Sequence, residues 1–153
     1  MEKKYKLIII IGILLLFIAG FAYNMYMTEK NTIKVGNSIF DLPSGYSKEM
    51  KSNTEGIIKN KADTIGIQEY ADNNIKKYVN EYNVTKEKTG ERLIIKTYKV
   101  NNTQVYKSTN MNNTRFVHYW FVNNNKVYTV YTWHDNNNTD KIVSHLINHA
   151  KGI

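Results

Sequence analysis

The side chains most capable of chemistry in this sequence are its four histidines. His145 and His149 are four apart in a stretch whose apolar periodicity predicts a helix, so both imidazoles can reach one metal ion from one face. The motif is His-Leu-Ile-Asn-His, which lacks the glutamate that a zinc protease places between its histidines. A metal-dependent hydrolase would need a third ligand, and His118, His134 and Asp135 are the candidates. A helical wheel puts His145 near the polar side and His149 at the boundary. Near a helix C-terminus a surface histidine is mildly favoured with no metal at all.

Other catalytic constellations find less support. His134 and Asp135 are adjacent in a strand-like run, so their side chains point to opposite faces, a poor arrangement for acid–base work. The chain has no cysteine, and no serine stands in a nucleophile-elbow context, so nucleophilic catalysis has no motif behind it. Asp41, Glu49, Glu55 and Glu69 lie in scattered contexts that propose no carboxylate pair. No cofactor motif is present, and the chain is expected not to be an enzyme. Tyr119, Trp120, Phe121, Tyr128, Tyr131 and Trp133 could line a ligand surface, but an aromatic hairpin of this kind is more often core. Asn83, Asn101, Asn112 and Asn137 each open an Asn-x-Thr sequon in an expected loop or element end. They are acceptors for glycans if the domain is exported into a cell with the machinery.

The elements that must position these groups follow from pattern. Residues 32–42 read as two short strands about Gly36-Asn37, and Pro43 with Ser44-Gly45 turns the chain. A polar stretch follows from Ser47 to Glu55. Residues 56–59 and 64–70 are two more strands, turned at Asn60 to Asp63. Asp72 is the expected N-cap of a helix whose stripe is Ile75, Tyr78, Val79 and Tyr82, with Asn83 at its end. Residues 92–100 and 103–108 form a hairpin about Asn101-Asn102. Residues 115–122 and 126–134 form the aromatic hairpin, apolar on both faces of its first strand, which predicts the middle of a sheet covered on both sides. Its register is open by one residue, because the Asn123-Asn124-Asn125 loop can close in two ways. Thr139 caps a last helix with Ile142, Val143, Leu146, Ile147 and Ala150 on its apolar face, and Gly152 ends it. This order predicts an α+β domain: a meandering antiparallel sheet with helices packed on its faces.

Ahead of that domain, residues 7–27 carry no charged residue and are about long enough for a bilayer core of roughly 30 Å. Tyr23 and Tyr26 suit the headgroup level. Lys3, Lys4 and Lys6 form a basic tail at 1–6 that should stay in the cytoplasm, which sends the domain outside. Residues 28–31 read as a tether and 32–153 as the extracytoplasmic domain. The alternative is a cleaved signal peptide, with Gly20-Phe21-Ala22 at the cleavage site, although the apolar run exceeds the usual h-region. With no cysteine there is no lipobox.

The formal net charge is +8, and the domain from Thr32 onward remains basic, with 17 Lys and Arg against 11 Asp and Glu. Such a field favours polyanions: cell-wall polymers, anionic headgroups or nucleic acid. The lysines are scattered, which fits a solvated basic surface better, and no nucleic-acid partner is expected. Without disulfides the fold rests on packing alone.

Phe40-Asp41-Leu42-Pro43-Ser44-Gly45-Tyr46 resembles the opening of the PsbP/Mog1-like families, a Phe, a hydrophobic residue, Pro, Gly and an aromatic. Those families also show an early hairpin, a helix after the fourth strand, an aromatic hairpin and a C-terminal helix. The resemblance implies their fold and, for exported members, an accessory or binding role. It carries over no catalytic residue. The expectation is a membrane-anchored binding or accessory module of the cell envelope. A metal-dependent hydrolase using His145 and His149 and a structural subunit of a membrane complex are the alternatives.

Overall fold

The computed structural model describes residues 2–112, 116–132 and 138–153. They form two compact units, divided after Thr32.

The first unit is one helix, α1 (Glu2–Asn31). Its segment Ile8–Asn31 is long and apolar enough to cross a membrane, spanning about 36 Å at the helical rise. The stretch expected as a tether, 28–31, is helical too. There the Thr28 hydroxyl donates to the Asn24 carbonyl at 2.9 Å, and Thr32 donates to Thr28 at 2.9 Å, so the polar residues continue the helix by bonding back one turn.

The second unit, Ile33–Ile153, is α+β. A three-stranded sheet holds β1 (Thr32–Val35), β2 (Ser38–Asp41) and β10 (Lys151–Gly152), in the order β1-β2-β10. A seven-stranded sheet holds β3 (Ser47–Met50), β4 (Glu55–Lys59), β5 (Thr64–Glu69), β6 (Leu93–Val100), β7 (Thr103–Asn110), β8 (Val117–Asn123) and β9 (Lys126–Thr132). Its order is β3-β4-β5-β9-β8-β7-β6. Two meanders are therefore joined by the antiparallel pairing of β5 with β9, from Ile65↔Thr132 to Glu69↔Tyr128. After β5 the chain crosses one face as α2 (Ile75–Lys88) and re-enters at the far edge.

Alternation along the strands gives the sheet two buried faces. One carries Ile65, Ile67, Val117, Tyr119, Phe121, Tyr128 and Val130 under α3 (Thr139–Asn148) and the small sheet. The other carries Trp120 and Val127 under Val79 of α2, ringed by Tyr70, Tyr78, Tyr82 and Tyr106. The double covering of β8 is as its sequence implies.

Several boundaries differ from expectation. Ser47–Met50, read as a polar stretch, is an edge strand, where charged side chains face solvent. Helix α2 is capped by Asn74, whose carboxamide accepts from the Lys77 N–H at 3.2 Å. Asp72 instead accepts from the Asn74 N–H at 2.9 Å, two residues too early to cap. The helix runs through Asn83 because Asn83 donates to Glu87 at 3.0 Å along its surface. It ends where Glu91 N–H meets Lys86 O and Gly90 N–H meets Glu87 O, a Schellman closure that needs Gly90 at φ 78. Asn138, not Thr139, is the cap residue of α3, and Thr139 is buried inside the first turn. Gly152 does not end that helix; it lies in β10, paired with Ser38. The aromatic hairpin closes through two residues, Asn124 and Asn125, at φ 46 and 58, with Asn123 opposite Lys126. Asparagine tolerates this left-handed pair, which matches the twist of the strands.

At Gly66 the sheet admits no side chain, because an added Cβ would lie 2.0 Å from the Tyr131 ring. Gly66→Ala should displace that ring, break its hydroxyl bond to Glu55 and destabilise the domain by about 1–3 kcal/mol, read as a lowered thermal midpoint.

Candidate functional site

His145 and His149 do come together, with ring centroids 4.4 Å apart on α3. Their nitrogens are not both offered outward. His149 Nδ1 lies 2.9 Å from the His145 carbonyl oxygen, and His145 Nε2 is buried without a hydrogen-bond partner. Among the described residues no three His, Cys, Asp or Glu side chains converge as a metal site would require. His134 and Asp135, two of the three candidate further ligands, lie outside the described residues. The third, His118, is on β8 and points to the α2 side of the sheet, opposite the face that α3 covers.

Tyr119, Trp120, Phe121 and Tyr128 are core side chains, each no more than 1% exposed. Tyr131 is half-buried, and Trp133 lies outside the described residues. The resemblance motif is also structural. Phe40 packs edge-on against Tyr128 at 5.2 Å and Phe121 at 6.2 Å. Gly45 takes φ 83, and Tyr46 N–H closes the turn onto Pro43 O at 3.1 Å. The Tyr46 hydroxyl then donates to Asp63 at 2.8 Å. Burial, followed by that bond, pushes the Tyr46 phenol up to about 12.

That bond is one of four of its kind among the described residues, a pattern the sequence did not announce. Tyr119 donates to Asp140 at 2.9 Å, Tyr131 to Glu55 at 2.6 Å, and Tyr128 to Glu69. Glu69 also accepts from the Asn37 N–H at 2.6 Å and its side chain at 3.1 Å, so it ties the β1–β2 turn to β5. Asp140 also receives the Lys107 ammonium at 3.1 Å. An open groove of about 600 Å³ lies beside Glu69, lined also by Lys34, Met50, Asn53 and Thr54. Of the carboxylates that looked scattered in sequence, Glu55 and Glu69 accept from phenols, as Asp63 and Asp140 do, while Glu49 is bridged by Lys51 and Lys59.

The sequons occupy three kinds of place. Asn83 is inside α2, not in a loop. Asn101 is at the β6–β7 turn with φ 52, and its amide donates to Asn148 at 2.7 Å. Asn112 is exposed, and its amide reaches Gly90 O at 3.3 Å. Asn137 lies outside the described residues.

The fold also holds the His118 imidazole well away from its usual state. It stacks between Trp120 and Tyr131, both 5.6 Å away, with Tyr82 of α2 at 4.5 Å. Its cross-strand neighbour on β7 is Ser108. Nδ1 of His118 and the Ser108 hydroxyl are both buried without a hydrogen-bond partner among the described residues. Burial, and then the Lys86 ammonium of α2, push this imidazole down to about 4.

No family model matches the sequence, and no curated protein matches it. Solved structures do align. Cyanobacterial PsbP (CyanoP) from Synechocystis sp. PCC 6803 is similar at a TM-score of 0.49 and 8% identity, over 81% of this chain and 94% of that one. A protein from Bacteroides thetaiotaomicron VPI-5482 is similar at a TM-score of 0.45 and 8% identity, over 80% of this chain and 48% of that one. Both likenesses concern the course of the backbone alone.

A histidine held neutral by the fold binds its proton more weakly folded than unfolded. Its contribution is complete above about 6.5, its ordinary value, and is lost as pH falls towards about 4. Over that interval the domain should lose up to about 3 kcal/mol relative to a His118→Phe variant, measured by urea unfolding at stepped pH.

Proposed function

We propose that this chain is a membrane-anchored module whose folded domain works outside the cytoplasm as a binding or accessory component of the cell envelope. The observation that carries the reading is α1. Its large apolar side chains at positions 8–11, 13–18 and 21 are exposed, Leu16 and Phe17 to 74%. Each such side chain left in water costs about 1.5–3 kcal/mol, whereas in lipid the same helix satisfies its own backbone and needs no partner. Lys3, Lys4 and Lys6 at its start favour a cytoplasmic N-terminus.

The domain contributes recognition and not turnover in this reading. Phe40, Tyr119, Trp120, Phe121 and Tyr128 are committed to the core and four of its carboxylates to tyrosine hydroxyls. What it presents is a basic surface, suited to an envelope protein with acidic segments or to an anionic wall polymer. The partner is held close to the bilayer by the anchor.

Protease added to intact cells should digest the domain, and the mature protein should keep residues 1–27 and stay with membranes after an alkaline wash. Survival of the domain until lysis would overturn the orientation, and an N-terminus near position 23 would overturn the anchor. Crosslinking in membranes should recover one envelope partner repeatedly.

A further inference from the structure

The two edges of the seven-stranded sheet are built differently. Strand β3 is four residues long, and its Glu49 is bridged by Lys51 at 2.6 Å and Lys59 at 2.8 Å, a short edge closed by its own ions. Strand β6 is eight residues long, and five of them, Ile94, Ile95, Lys96, Thr97 and Lys99, are exposed. It pairs with β7 along its whole length, from Leu93↔Asn110 to Val100↔Thr103. Among the described residues no strand pairs with its outer side. A strand this long and extended, without proline, offers a row of backbone donors and acceptors to an incoming chain.

Its side chains narrow the choice of occupant. The sequence of β6 is Leu-Ile-Ile-Lys-Thr-Tyr-Lys-Val, with two lysines, no acid, and Arg92 just before it. Alternation puts Ile94 and Lys96 on the α3 side and Ile95 and Lys99 on the α2 side, so each face pairs one apolar side chain with one ammonium. On β7 the ammonium opposite Lys96 belongs to Lys107, which is engaged by Asp140. Among the described residues no carboxylate forms an ion pair with Lys96 or Lys99. A second copy of β6 would bring like charges onto the same seam. A strand with carboxylates at the matching spacing would gain charge pairs in addition to the ladder.

We propose that the outer edge of β6 is a docking site for an extended acidic segment of a partner protein, which adds to the sheet as an eighth strand. The mode is β-augmentation: the main chain supplies affinity, while Lys96, Lys99, Ile94 and Ile95 supply selection. This inference rests on the reading of the domain as a binding module and names the partner's chemistry.

The test uses the full chain in neutral-lipid nanodiscs and a short synthetic peptide. The peptide carries two glutamates, at the spacing of Lys96 and Lys99, in a valine and threonine background. Hydrogen exchange should slow at residues 93–100. Affinity should fall about tenfold or more in the Lys96→Glu, Lys99→Glu double variant, with the thermal midpoint unchanged. A peptide with lysines in place of the glutamates should not bind. Absence of slowing at saturating peptide overturns the proposal, as does protection confined to another surface or equal binding of the lysine peptide. Slowing at β6 that depends on protein concentration without peptide overturns it in favour of self-pairing. Membrane crosslinking separates the two levels: a recurrent partner that maps away from β6 removes this inference and leaves the binding module standing, and no partner at all removes the module.

Discussion

The pairing of β5 with β9 is the constraint that the rest of the domain obeys. The β8–β9 hairpin is too apolar on both faces to lie at an edge. Trp120 and Val127 look one way, and Tyr119, Phe121, Tyr128 and Val130 the other. It must therefore be central and covered twice. Pairing β9 with β5 places the β3–β5 meander on one flank and β6–β7 on the other. That arrangement obliges the chain to cross from β5 to β6 over one face, and the crossing is α2. The opposite face is left to α3 and the small sheet. Fully burying each large side chain contributes about 1.5–3 kcal/mol, so the aromatic hairpin provides the largest localised share of the packing energy in a fold with no crosslinks.

The tyrosine–carboxylate bonds answer a problem the same hairpin creates. A phenol brought towards a core must keep its hydroxyl satisfied, and a charged acceptor does this well. Tyr128 reaches Glu69 and Tyr131 reaches Glu55 from positions three apart on β9, on opposite faces of the sheet. Acidic groups are few in this basic domain, and several of them are used in this way. The surface charge is then left mainly to lysines, which is the physical link between how the domain packs and what it would attract.

Much of the local structure was legible in sequence, because it depends on local causes. The stripe Ile75, Tyr78, Val79, Tyr82 makes one face of α2, Asn60 turns β4 into β5 by accepting from Ala62 and Asp63, and the continuous apolar pattern of β8 signals burial on both faces. The end of α2 was misplaced because Asn83 is a weak helix residue whose cost is met by its bond to Glu87. The join of β5 to β9 was not legible, since neighbouring strands usually pair and nothing in either strand names a distant partner. Nor was β10, whose two residues form a strand only because β2 offers an edge. For the candidate site, the closeness of His145 and His149 followed from helical spacing. The isolation of His118 among aromatic rings is a tertiary fact, assembled from α2, β7, β8 and β9.

The small sheet has a temporal consequence. Its third strand joins residues 151–152 to 38–39, and Ile153 N–H bonds to Asn37 O at 3.0 Å. A chain made from its N-terminal end delivers β1 and β2 early and β10 after every other described element. Until then one edge of β2 stays open and Phe40 lacks its neighbours from the later hairpin. Closing contacts this far apart along a chain is slow. The nascent domain therefore stays unfinished, and acquires its final topology only once residues 151–153 have been made.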